Sequence, residues 1–538
     1  MVFYFTNMPP LQSKSRLEPF LFSNLESAFS DLAFNVPNRH GASPRMNPLI
    51  NSLDHIDKLG GKTIVRQHTV QDPDFFSEYY AYYSRVFGDT DKYCHRMHFF
   101  SMEMNPDEDV LDFIDRAAGN ADSYLGFITV RPVRSSPVAA TILRPLPNQH
   151  FLLSSDVFDV HLAGRKFLVR GTPFMQQDNA VGACAQASIW MALRTLRKKE
   201  GNSAFDPAQI TSAATRFLVR GRTLPNREGL GIDQMIEAIR FAGYSPHLMQ
   251  FSTANPQPGA NNHLVGNEIL NAKRKIYAYV ESEIPVVLGV FPSPTAGHAV
   301  VLIGHTWNVN NNATPYFSNS DLKLYHAADW VTSFISHNDN TGPYLELPET
   351  GGNDYCFEQA RFSIPLLPSD VFMSGEEAEQ VANKILIDLL QLNQLPTSTV
   401  NTAQEVQKFE DLVIRTYLVE RHRFREWVTD KTDIHIEVKN YYRLKILPKR
   451  IWVTEVCLLK EHNNTRNGSL SRVGEILIDP TGEPNDAPFL SIHLNISAIA
   501  PIASGVGVSG VIIDREADGQ LIKYIPLQTD TCYSSLSR

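Results

Sequence analysis

The sequence predicts an α+β fold in which a helical half is followed by an antiparallel sheet half, flanked by N- and C-terminal α+β regions. Three observations predict it. From residue 184 to 281 apolar residues recur at helical spacing, beginning with CAQASIWMALRTLRKK. From 284 to 347 the pattern changes to short apolar runs between turn residues: IPVVLGVF, GHAVVLIGH, WVTSFISH and PYLEL. On both sides of this block, helical and strand-like runs alternate. A chain of 538 residues exceeds what one core serves, so three regions are expected: 1–165, 166–365 and 366–538.

In chain order, the first sixty residues are spotted with Pro, Asn and Ser, and their apolar positions are too irregularly spaced to assign elements. DPDFFSEYYAYYSRVF, from Asp72, has Phe76, Tyr79, Tyr80 and Tyr83 at helical spacing. Tyr124–Val133 and Ala140–Leu146 read as strands, and KFLVR as another that stops at Gly171-Thr172-Pro173. A polar loop, QQDNAVGA, leads to a helix opening close to Cys184. Ile189, Met191, Ala192 and Leu196 supply its buried side, while Arg194, Arg197, Lys198 and Lys199 crowd its C-terminal turns, where cations suit the helix dipole. Helices follow over Ile210–Arg220, Gly231–Ala242 and Glu268–Glu281, then the four strand runs. Past Pro368, EEAEQVANKILIDLLQL and QEVQKFEDLVIRTYLVERHRFREWV read as helices, and RIWVTEVCLL and GEILIDPTG as strands. Ile496–Ile513 is broken by Pro501, Gly505, Gly507 and Gly510, which suits two short strands better than a membrane span.

Composition narrows the function classes. A formal charge of −9 gives no basic face for phosphate backbones, so no nucleic-acid partner is expected. The segment Asp411–Arg450 is locally basic, with ten Lys/Arg against six Asp/Glu, and reads as a solvated helix with strand edges. No secretory pattern opens the chain and no membrane partner is expected. Five widely spaced cysteines (Cys94, Cys184, Cys356, Cys457 and Cys532) suit free thiols in a reducing cytoplasm. Cys94-His95-Arg96-Met97-His98 lacks a second ligand pair and reads as core, so neither metal nor other cofactor is expected.

One constellation carries chemistry. A thiol becomes a nucleophile when its thiolate is stabilised, and a helix N-terminus facing a histidine does this; Cys184 is therefore expected to have a lowered pKa. His298 heads the strand GHAVVLIGH, where Gly297 permits close backbone approach. His305 lies seven positions further, on the opposite face of a regular strand. A group orienting the imidazole fits the end of FISH, where Asn338-Asp339-Asn340 precede a turn. A side-chain amide from Gln177 or Gln176 would stabilise an oxyanion beside the Cys184 N–H. Ser188 reads as a helix-packing residue.

The segment QQDNAVGACAQASIWMAL resembles the nucleophile segment of papain-like cysteine peptidases, most closely the branch of the double-glycine leader peptidases that process bacteriocins. GLGIDQMIEAIRFAGYSP, SEIPVVLGV and GHAVVLIGH follow that branch's order, and the resemblance covers Val169 to Leu347. It implies a papain-like fold and cysteine hydrolase activity on a peptide or protein substrate through an acyl-enzyme. Cys184 matches the nucleophile, His298 the base, Gln177 the oxyanion glutamine and Asp339 the acid. Three departures stand out. Ala185 replaces the usual glycine, and Gln177 is seven rather than six residues before Cys184, so Gln176 and Asp178 compete with it. An Asn-rich insertion, Asn308–Ser320, separates His298 from Asp339, which leaves Asn338 and Asp329 as rivals. Acyl transfer, amide hydrolysis, or peptide binding without cleavage are the alternatives on the same scaffold. The flanking regions are expected to shape substrate access or bind a protein partner.

Overall fold

The computed structural model describes residues 17–32, 46–88, 90–147, 151–152, 154–178, 184–217, 229–254, 256–257, 259–308, 313–318, 323–351, 355–391, 411–430, 436–459, 472–482, 488–494, 497–501 and 508–512. The α+β expectation holds: helices pack on sheets whose strands are antiparallel, apart from one parallel pair.

The N-terminal region is a five-stranded meander of Leu17–Leu21, Thr63–Val70, Cys94–Phe100, Tyr124–Val130 and Val138–Leu143 in spatial order. Alternation along the strands sends side chains to two cores. Ile64, Met97, Phe99 and Ile128 meet Leu49, Leu53 and Ile56 of helix Pro48–Lys58, whereas Val65, Phe100 and Phe127 meet Phe113 and Ile114 of helix Val110–Ala118. Each helix starts on a side-chain cap, Asn47 accepting from Ile50 N and Asp109 from Leu111 N. Cys94–Phe100 is thus a core strand.

The central sheet runs Met249–Gln250, Ala360–Pro368, Val286–Ser293, Ala296–His305, Ser333–Asn338, Gly342–Pro348. It is buried on both faces, which explains its unbroken apolar runs. Ala299, Val301 and Ile303 face the Cys184 helix; Val300 and Leu302 face helix Asn267–Glu281 and the C-terminal region. Among the described residues no helix is long and apolar enough to cross a membrane.

One expectation needs correction, and two regions gain detail. Asp411–Glu420 is a strand rather than the middle of a helix, and the helix begins after it at Arg421–Asp430. DLVIRTYLVE is rich in β-branched residues and lies between Lys323–His326, parallel, and Arg450–Leu458, antiparallel. Its neighbours along the sheet decide the matter. Next, the expected boundaries at 165/166 and 365/366 fall inside strands Arg165–Gly171 and Ala360–Pro368. The first of these pairs with Asp156–Leu162 in a hairpin. The first sixty residues also contain strand Leu17–Leu21 and helix Pro48–Lys58, the latter seated on the meander.

A buried ion network joins the central and C-terminal parts. Glu281 receives Arg415 on one oxygen and His305 Nε2, at 2.5 Å, on the other. Arg415 also reaches Glu455 at 3.2 Å, and Tyr417 donates to Glu455 at 2.7 Å.

Candidate active site

Cys184 is the first residue of helix Cys184–Lys199, and the helix is pinned to the His298 strand from two sides. The Ala299 N–H donates to Cys184 Sγ at 3.3 Å, and Ser188 Oγ donates to the Ala299 carbonyl at 3.0 Å. Ser188 is therefore a packing residue, one turn below the thiol. This clasp grips the residue immediately after His298, so the thiol and the imidazole belong to one rigid joint. Residues 179–183, between the Gln loop and the thiol, lie outside the described residues.

His298 is buried and carries three polar contacts. Nε2 donates to Asn338 Oδ1 at 2.8 Å and lies 3.5 Å from Asp339 Oδ1. Asn338 Oδ1 also accepts the Asn340 N–H at 3.0 Å, which identifies that atom as oxygen and places the imidazole proton on Nε2. Nδ1 then holds the lone pair and accepts from Asn340 Nδ2 at 3.3 Å. Tyr355 stacks on the ring, centroids 4.6 Å apart and planes 27° apart.

The expected order of orienting groups changes. Asn338 makes the hydrogen bond that was assigned to Asp339, because the strand carries Asn338 to its last paired position, opposite Gly342. Asp339, next in the turn, is fully buried without a well-formed hydrogen bond to its carboxylate. Burial pushes its pKa up to about 6, against the pull of His298 and of the nearby backbone N–H groups of Asp339 and Gln177. Asp329 is elsewhere, paired with Arg274 at 2.9 and 3.0 Å. His305 is engaged with Glu281, on the side away from the thiol.

The hairpin bearing Asn338 is held from below. Asn51 Nδ2 donates to the Thr341 carbonyl at 2.7 Å. Tyr344 adopts φ +55°, a strained value for an aromatic residue. Its hydroxyl donates to the Leu143 carbonyl at 2.7 Å and accepts from Thr172 N at 2.8 Å. The ring packs against His55 and His337. These contacts from the N-terminal region over-determine the turn.

The same region sorts the three candidates of the Gln loop. The chain before it runs antiparallel to Val138–Leu143, bridged at Thr141 and Phe174. Gln176 is tied down: its Oε1 accepts from Val138 N at 3.2 Å and its carbonyl from Arg131 Nη2 at 2.8 Å. Asp178 is buried and accepts from the Tyr83 hydroxyl. Gln177, between them, points its amide at the site and donates to Asn340 Oδ1 at 3.1 Å. Asn340 thus links the glutamine to the histidine. The sequence points to the stretch Asn338-Asp339-Asn340 without assigning Asn340 a role, and nothing in its sequence context singles out Tyr355.

The expectation of a lowered thiol pKa is overturned. Burial pushes the Cys184 thiol up to about 12, the Asp339 carboxylate adds to this, and the N–H groups of Ala299, Ala185 and Cys184 only partly oppose it. Among the described residues Sγ is bonded to the Ala299 N–H and Nδ1 to Asn340, so thiol and base are not yet engaged with each other. No family model matches this chain, and no curated protein matches it either.

Proposed function

We propose that this protein is a papain-like cysteine hydrolase that cleaves a peptide or isopeptide bond through an acyl-enzyme on Cys184. The observation that carries the reading is the joint in which Ala299 binds the thiol while the preceding residue, His298, is oriented by Asn338. Rotation of the Asn340 amide away from Nδ1 frees the lone pair for the thiol proton. The thiolate attacks the substrate carbonyl carbon, and the oxyanion is met by the Cys184 N–H and the Gln177 amide. His298, now protonated, returns the proton to the leaving amine as the C–N bond breaks. Water, deprotonated by Nδ1, then attacks the thioester, releases the acid and restores the thiol. Peptide or protein substrate, cytoplasmic setting and the absence of any required cofactor belong to this same reading; the free thiols of Cys94, Cys184, Cys356 and Cys457 support the reducing compartment.

The second reading is a peptide-binding module that does not cleave, favoured by the raised thiol pKa. Mass spectrometry of the full chain after exposure to cell extract separates the two. An acyl adduct on the Cys184 peptide, missing in Cys184→Ala, is the expected result. Peptides retained without any adduct would instead support the module.

A further inference from the structure

A cavity of about 540 Å³ opens at the tip of the hairpin formed by strands Val286–Ser293 and Ala296–His305, the second of which carries His298. Val290 pairs with His298, and the next residue, Phe291, forms the cavity wall. The Phe291 ring lies so close to Gly297 that a Cβ there would come within 2.8 Å of it. Phe291 also packs on the same core cluster as Cys184. The wall therefore begins one residue before the base and on the thiol's side of the sheet.

The remaining lining includes Pro256, Pro294, Gly259, Asn262 and Arg361, with no carboxylate among them. Arg361 neighbours Ala360, which pairs with Val290. Its strand is two removed from that of His298, roughly 10 Å across the sheet. The guanidinium donates to the Asn261 carbonyl through Nη2, while Nε and Nη1 have no partner among the described residues. A half-buried cation against Phe291 and two prolines, with unused donors and no carboxylate among the described lining residues, favours a carboxylate and repels an ammonium.

Resting on the hydrolase reading above, we propose that this cavity is a substrate subsite for an acidic side chain, with Arg361 as its specificity-determining residue. A glutamate of the peptide would lay its methylenes on Phe291 and its carboxylate on Arg361.

The test uses three peptidyl acyloxymethyl ketones that differ at one residue, Glu, Gln or Lys, scanned over the positions preceding the ketone. The full chain is treated with each, and labelling of Cys184 is timed by peptide mapping. At one position the Glu probe is expected to label about tenfold faster than its Gln isostere, with Lys slowest, in line with one charge-assisted hydrogen bond. Arg361→Glu should reverse the order to Lys before Glu, and Arg361→Gln should bring the Glu and Gln rates together. Because each comparison is a ratio within one preparation, a weakened variant still reports. Equal rates for Glu, Gln and Lys at every position, with Cys184 labelled by all three, would overturn the subsite and leave the hydrolase reading standing. Labelling of Cys184 by iodoacetamide but by no peptidyl probe would overturn both.

Discussion

The thiol, the imidazole and one asparagine set the state of the site. Asn340 occupies Nδ1 and the Gln177 amide together, so base and oxyanion donor are both committed before substrate arrives. Asn340→Ala is expected to release the lone pair, lower the apparent thiol pKa and speed alkylation of Cys184 several-fold near neutrality. Iodoacetamide time courses from pH 6 to 10, read by peptide mapping, check this; an unchanged profile would remove Asn340 from the proton path. Cys94, Cys356 and Cys457 are buried, so Cys184 should still label ahead of these three. The two strand histidines should separate cleanly. His298→Ala is expected to abolish adduct formation with little change in melting temperature. His305→Ala leaves the buried Glu281 short of a partner and should cost about 3 kcal/mol of stability while adducts still form. Parallel melts and adduct assays distinguish them, and the reverse ranking would mean the wrong face of the strand had been chosen.

Elements matter here through the way they are clamped. The Cys184 helix and the His298 strand are locked by Ser188 and Ala299, and the Asn338 hairpin is locked through its own Tyr344 onto Leu143 of the N-terminal meander. Tyr344→Phe keeps the ring but leaves the Thr172 N–H and the Leu143 carbonyl without that hydroxyl. The expected loss is about 1–3 kcal/mol, measured as a shift of the urea midpoint at unchanged m. Because the turn then loosens beneath Asn338, labelling of Cys184 by a peptidyl probe should slow more than labelling by iodoacetamide. A slowdown of both by the same factor would mean the clamp is structural alone.

Across the whole molecule, buried titratable groups shape the pH response. Burial lowers His55 to about 4, His337 to about 3 and His98 well below its ordinary value, so the unfolded chain gains three protons on these residues below about pH 6.5. Between about pH 4.5 and 6 this is offset by Asp74, Asp339 and Glu78, which burial raises to about 6, 6 and 8 and which stay protonated in the fold. Below about pH 4.5 the Glu78 part of the offset fades, and below about 3.8 so do the Asp74 and Asp339 parts. Glu281 now adds to the loss: burial works to raise it, but Arg415 and His305 bring it down to about 2, so its stabilisation is present above its unfolded value near 4.5 and drains away toward 2. Roughly two protons are then taken up on unfolding, about 2.7 kcal/mol of stability per pH unit. Stability from urea melts should therefore vary little from pH 6 to 4.5 and collapse below about pH 4. A gradual decline starting at pH 6.5 would contradict the offset.

Local sequence determined what depends on neighbours along the chain: the helix that starts at Cys184, the strand headed by His298, the change from helical to sheet character between 281 and 284, and the α+β class. Periodicity and capping act over a few residues, and those positions carry them openly. Tertiary structure decided what depends on distant partners. DLVIRTYLVE became a strand because edges at 323–326 and 450–458 pair with it, whatever its helical spacing suggested. Asn338 displaced Asp339 because the final register of one strand against Gly342 sets which side chain meets Nε2, and a shift of one residue exchanges faces. The thiol pKa is raised rather than lowered because desolvation is a property of the packed site, set by the N-terminal and central regions together, and outweighs the helix N-terminus that the sequence makes visible.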